Sequence, residues 1–230
     1  VTLSEFSDKG LLADKSKPNL LNANTKIQHL SPYLGTEIRG VQISQLTNDG
    51  LNELALYAAE RKVLLFRDQD FKDLTPERQI EIASYFGPIQ RHPTSGNVKG
   101  FPEFHVVYRD SEDGNRLNQR FGGYIAERSN WTSWHSDVTY EKQTPSTTFF
   151  FILDQVCVVF TRPWSSKPDH GFLPENGGDT LFASQVEAYN RLSPAFKSLL
   201  VGLRAVHSAV PQAEGSHKVG GPVRREPIGQ

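Results

Sequence analysis

One run of residues, Thr147-Thr148-Phe149-Phe150-Phe151-Ile152-Leu153, sets the strongest constraint on the fold. All but the last are β-branched or aromatic, and such side chains suit a pleated, half-buried surface better than a helix. Other short stretches point the same way. Gly35 to Ile43 alternates like a half-buried strand, and Val63-Leu64-Leu65-Phe66 is a continuous apolar run that suits a strand covered on both faces. His105 to Tyr108 and Thr180 to Ala183 read as further strands. Helical spacing is rarer. Leu51, Leu54, Ala55 and Ala58 recur on one face behind Asn48 or Asp49 as cap. Thr75-Pro76 opens a second helix, its apolar side given by Ile80, Ala83 and Tyr85-Phe86 and its end marked by Gly87. Ser184 and Ser193-Pro194 look like two more starts, the last helix ending in Leu199 to Leu203. Many short strands with turn signals between them predict a mainly β chain with flanking helices, closed as a barrel or jelly roll.

The bulk numbers narrow the function. At 230 residues the chain is long enough to bury a sizeable core and is most simply one domain. Residues 1–26 are polar and aperiodic and read as a loose N-terminal arm, leaving 27–230 as the folded domain. With 25 basic and 26 acidic residues there is no charge excess to hold a nucleic acid or an anionic membrane surface. No apolar run approaches the roughly 20 residues of a membrane span, and the start has no basic-then-apolar signal pattern. A single Cys excludes an internal disulfide and a multi-cysteine zinc site, which fits a reducing compartment and hence the cytoplasm. The absence of Met, even at position 1, reads as a fragment or a processed chain.

Chemistry enters with Trp134-His135-Ser136-Asp137-Val138-Thr139-Tyr140. On an extended segment, residues two apart share a face, so His135 and Asp137 present an imidazole nitrogen and a carboxylate oxygen side by side. Those are two corners of the 2-His-1-carboxylate triad that holds iron(II) with open positions. A surface His and Asp at a strand end would look the same in isolation.

Three ordered stretches supply context: Phe86-Gly87-Pro88-Ile89-Gln90-Arg91-His92-Pro93, Trp134 to Tyr140, and Gly177-Gly178-Asp179-Thr180-Leu181-Phe182. Together they resemble the taurine dioxygenase-like (TauD/TfdA) family of iron(II)- and 2-oxoglutarate-dependent dioxygenases, from about Gly35 to about Arg225. Arg67-Asp68-Gln69 resembles the family as well. The resemblance implies a double-stranded β-helix, here incomplete. It implies iron(II) as cofactor, 2-oxoglutarate as co-substrate, succinate and carbon dioxide as co-products, and hydroxylation of a small, anionic, sulfonate-like substrate. By the same resemblance His135 and Asp137 are metal ligands, and the Thr180 hydroxyl helps to hold the far carboxylate of 2-oxoglutarate. His92 hydrogen-bonds the anionic head group, and Asp179 is structural. Ser95 stands where taurine dioxygenase has a tyrosine, and Trp131, in the substrate pocket, where it has an asparagine. Both changes remove polar contacts and point to a bulkier or more apolar substrate than taurine. Outside that context His92 is an ordinary loop histidine, Thr180 an ordinary strand threonine, and Trp131 and Trp134 equally core residues.

Two departures stand out. The family joins the strand before Gly177 through a short turn, whereas here Val156 to Leu173 intervene. Deleting them leaves Asp154-Gln155-Pro174-Glu175-Asn176-Gly177-Gly178, the family turn. The inserted segment opens on Val156-Cys157, which GTATGT, a common splice-donor sequence, would encode. It reads as an unspliced intron in frame, or else as an exposed surface loop, which closure entropy tolerates well. The second departure is at the end, because the family's second ligand histidine and its 2-oxoglutarate-clamping arginine lie beyond Gln230. His207, expected on a strand, and His217, expected in a solvated stretch, match neither. The charged segment from Asp110 to Arg120 reads as a mobile loop of the kind that closes over substrate. The chain as written is therefore expected to be a truncated, inactive dioxygenase. A non-catalytic β-barrel that binds a small molecule is the alternative, and a homo-oligomer is compatible with either.

Overall fold

The computed structural model describes residues 7–106, 134–152, 180–218 and 220–225, and singly residues 5 and 227. Trp131, Asp179, the 110–120 loop and the 156–173 insertion lie outside the described residues. The chain separates into two compact units, Val1–Ile89 with Thr180–Val206, and Gln90–Asp179 with His207–Gln230.

In the first unit, β1 (Lys26–His29) pairs antiparallel with β2 (Thr36–Arg39), and β2 pairs parallel with β3 (Leu64–Phe66). The expected alternation is present: Thr36 and Ile38 are buried while Arg39 faces solvent. The parallel pair needs a crossover, which α1 (Asn48–Arg61) supplies. Its cap is Thr47, one residue earlier than expected, whose hydroxyl accepts from Gly50 N at 3.3 Å. Leu51, Leu54 and Tyr57 form its buried face. At its last turn Arg61 donates to the Ser31, Pro32 and Gly35 carbonyls and to Thr36 Oγ1, pinning the β1–β2 turn. Gly40 is obligatory at φ 83°, since a Cβ there would come within 2.2 Å of the Asn24 carbonyl. β3 is half-buried rather than covered on both faces.

Of the stretch read as a loose arm, residues 7–26 are tied to the fold. A single 3-10 turn at Lys9–Leu12 lies against α1, with Gly10 beside the Leu56 backbone, and Leu20 is fully buried. Glu53, 1 % exposed, accepts from Asn19 N, Leu20 N and Asn19 Nδ2 at 2.7–2.8 Å. A buried carboxyl with three donors is the physical reason this segment is ordered. Composition hides the anchor, because its partner is 33 or 34 residues away.

α2 (Pro76–Ser84) starts as expected, with the Thr75 hydroxyl accepting from Arg78 N. α3 (Gln185–Asn190) and α4 (Pro194–Leu200) also start at the expected caps, Ser184 and Ser193. The strands expected at 147–152 and 180–183 are not there: both segments are irregular, with Phe150 64 % and Leu181 59 % exposed. Strand propensity is realised only through a paired neighbour, and neither segment has a ladder partner among the described residues.

The second unit holds a two-stranded antiparallel sheet, β4 (Asn97–Val98) and β5 (Phe101–His105), and α5 (Val210–Lys218). The β5 strand ends where a strand was expected to begin. His207 lies in irregular chain instead of a strand, and His217 is exposed on the last turn of α5. The described residues thus form sheets and helices, and neither sheet is by itself a jelly roll. No described helix is long and apolar enough to cross a membrane.

Candidate active site

The second unit gathers His92, His105, His135, Asp137, Arg224 and Arg225. Residues 137–140 form a turn, not the expected strand end, closed by Glu141 N donating to the Val138 carbonyl at 2.9 Å. Val138 adopts φ 44° and is 6 % exposed. A β-branched residue is costly there and persists only where its surroundings hold it. The burial of the Val138 side chain is what does so, and it turns the flanking side chains outward. His135 Nε2 and Asp137 Oδ1 converge to 3.3 Å and are 69 % and 57 % exposed.

That separation suits a metal. Two neighbouring donors at bonds of about 2.1 Å and roughly right angles lie about 3 Å apart. The spacing of the pair is thus compatible with two corners of an iron(II) site, and both side chains are largely exposed. Among the described residues no group of three His, Cys, Asp or Glu side chains could hold a metal ion.

His92 is a different kind of group. Ser95 N and Thr94 N donate to its Nδ1 at 3.0 and 3.3 Å, which places the proton of the neutral ring on Nε2. Burial above all, then the neighbouring His105, with smaller contributions from Arg225 and Arg224, lowers its pKa from 6.5 to about 4 against the opposing effect of Asp137. The His105 ring lies 4.6 Å away, centroid to centroid. His92 is thus neutral at physiological pH and offers a single N–H donor. Arg91 pairs with Glu103 on β5, which ties the chain beside His92 to the sheet. Glu103 has its pKa lowered, first by its own backbone amide and then by Arg91.

Several contacts here carried no signal in the sequence. Arg225 pairs with Glu141, Tyr140 donates to Gln212, and His207 Nδ1 meets Thr139 Oγ1 at 2.8 Å. Burial, then Glu141, raises the Tyr140 pKa. Arg224 Nη1 donates to the His92 and Ser95 carbonyls at 2.8 and 2.7 Å. Only the doubling of Arg224-Arg225 near the end of the resembling region could have drawn attention to it. Thr180, exposed and irregular, belongs to the first unit.

The model of the taurine catabolism dioxygenase TauD, TfdA family matches residues 26–228. The chain belongs to this family of dioxygenases. An alpha-ketoglutarate-dependent dioxygenase of Penicillium expansum is 40 % identical over 226 residues, covering 97 % of this chain and 57 % of that protein. An alpha-ketoglutarate-dependent sulfonate dioxygenase of Saccharomyces cerevisiae is 35 % identical over 230 residues, 97 % of this chain and 50 % of that protein. Among solved structures, a protein assigned as an alpha-ketoglutarate-dependent taurine dioxygenase from Burkholderia xenovorans superposes with a TM-score of 0.55 at 26 % identity. The match covers 82 % of this chain and 57 % of that one. The TauD/TfdA chain described here spans about half the length of the curated relatives it matches. As a member of that family it belongs to a family of oxidoreductases.

Proposed function

We propose that this chain supplies two iron(II) ligands, His135 and Asp137, and the head-group donor, His92, of a 2-oxoglutarate-dependent dioxygenase acting on a small sulfonate-like substrate in the cytoplasm. The observation that carries the reading is the convergence of the exposed His135 Nε2 and Asp137 Oδ1 at 3.3 Å, at the entry to the 137–140 turn, within a region matched by the family model. Iron(II), with 2-oxoglutarate and dioxygen, would supply the hydroxylation of a substrate C–H bond, one oxygen atom entering the substrate and the other the succinate that forms with carbon dioxide. The chain's own residues do the rest. His135 and Asp137 would fix the metal's place, the Nε2–H of His92 donates to an anionic oxygen of the substrate, and the family resemblance gives the Thr180 hydroxyl the role of donating to the far carboxylate of 2-oxoglutarate. Trp131 shapes the substrate pocket, and the family's jelly roll frames the site.

The ligand donors among the described residues number two. Loss of supporting groups around a metal commonly costs about 10–100-fold in affinity, so the 230-residue chain is expected to bind iron(II) weakly and to release little succinate. Anaerobic iron(II) titration of the wild-type chain, His135→Ala and Asp137→Ala tests the ligand assignment. Each variant should lose at least about tenfold in affinity; equal binding by all three chains would show that this turn is not the metal site. Succinate release at full turnover from the 230-residue chain would overturn the expectation of weak activity.

A further inference from the structure

The Arg224 side chain reaches two backbone carbonyls 129 and 132 residues away in the chain. The contacts of Arg224 converge on one feature. Its backbone N–H donates to the Pro93 carbonyl at 2.9 Å, and a single guanidinium nitrogen, Nη1, donates to the carbonyls of His92 and Ser95. Three of the four carbonyls of residues 92–95, those of His92, Pro93 and Ser95, are therefore held by one residue. The same turn directs the Thr94 and Ser95 amides onto His92 Nδ1. Fixing the Ser95 carbonyl and the His92 carbonyl relative to each other fixes the amides between them, and so the ring.

We propose that Arg224 is the positioning residue for His92: it fastens the 92–95 turn so that Nδ1 stays an acceptor and Nε2–H is presented to an anionic head group. This rests on the reading of His92 as head-group donor given above. The planar fork suits the task, since its two N–H bonds diverge in a fixed plane while the charge strengthens both hydrogen bonds. The neighbouring Arg225 provides the contrast. It also carries a positive charge that acts on His92, but its hydrogen bonds go to Glu141, not to the turn.

The test compares Arg224→Met with Arg225→Met in the full 230-residue chain. Each removes one charge and keeps most of the side-chain stem. Three readouts are followed: Ser95 amide exchange, the ring-nitrogen NMR signals of His92, and ethanesulfonate binding by chemical-shift titration. In Arg224→Met, Ser95 exchange should quicken and ethanesulfonate affinity fall by about tenfold each, the weight of a charge-assisted hydrogen bond. The His92 nitrogens should move toward a mixture of tautomers. In Arg225→Met the tautomer and Ser95 exchange should stay as in wild type. Equal effects of the two substitutions would mean that charge alone acts, and no effect of Arg224→Met would mean that the turn holds itself. Either result overturns the proposal. Should Arg224→Met not fold, Arg224→Gln, polar but too short to reach both carbonyls, should give the same losses, and wild-type behaviour in it counts against the proposal. Failure of the wild-type chain to bind ethanesulfonate would instead overturn the reading of His92, while Ser95 exchange and the tautomer would still decide the role of Arg224.

Discussion

His92 illustrates how much of a residue's chemistry is set by its neighbours. Histidine ordinarily titrates near neutrality, yet burial first and His105 second hold this one at about 4. Between pH 4 and 6.5 the unfolded chain binds a proton here that the folded chain does not. Stability therefore rises with pH across that window, is fully present above 6.5, and is lost as the pH falls through about 4. NMR titration of the His92 ring should show the low value, and Asp137→Asn should lower it further, because Asp137 is the group that favours the charged ring. The drop in thermal midpoint from pH 7 to pH 5 should shrink in His92→Gln. Glu53 makes the complementary case. Three donors meet a carboxyl that is almost wholly buried, so Glu53→Ala should cost about 2–3 kcal/mol in urea unfolding, the cost of leaving buried amides unpaired.

At the scale of elements, what was legible in the chain and what was not divides by the reach of the interaction. Thr75-Pro76, Ser184 and Ser193-Pro194 each announced a helix because a cap is satisfied within three residues. The cap of α1 was displaced to Thr47, since Asn48 and Asp49 are equally good caps by residue type and only the backbone decides among neighbours. Thr47→Ala should destabilise the chain by about 1 kcal/mol, measured by chemical denaturation, whereas Asn48→Ala should cost less. Residues 147–152 and 180–183 misled for the opposite reason. Their composition states a preference for strand, but a strand is a relation between two segments, and none of the described residues pairs with them. The pair His135 and Asp137 was legible through spacing and motif. Its carriage on a turn with Val138 at φ 44° was not, because a β-branched residue is among the last expected there.

Across the whole molecule, α1 of the first unit and α5 of the second differ in how deeply they are buried. α1 buries Leu51, Leu54 and Tyr57, while α5 buries only the small side chains Ala213 and Ser216. Local opening costs least where little apolar surface is buried. Amides in the middle of α1 should therefore exchange more slowly than those of α5 by at least about tenfold, read by native-state hydrogen exchange. Equal protection in the two helices would mean that the units open together.

Residue order by itself determined the family, the candidate ligand pair, the capped starts of α2, α3 and α4, the alternation of β2 and, of the buried face of α1, Leu51 and Leu54 but not Tyr57, which is buried where Ala55 and Ala58 were expected. Each depends on partners a few positions away or on a motif of ordered residues, so a local reading suffices. The tertiary structure alone decided that Leu20 and Glu53 tie the N-terminal segment down, and that the His105 ring lies tilted against His92. It also decided that Arg224 holds the 92–95 turn and that two strand-like segments stay unpaired. Those outcomes depend on which distant groups meet, and a hydrogen bond between positions 129 residues apart leaves no periodicity, cap or spacing behind it. The energy of such a contact exists only once the chain has folded.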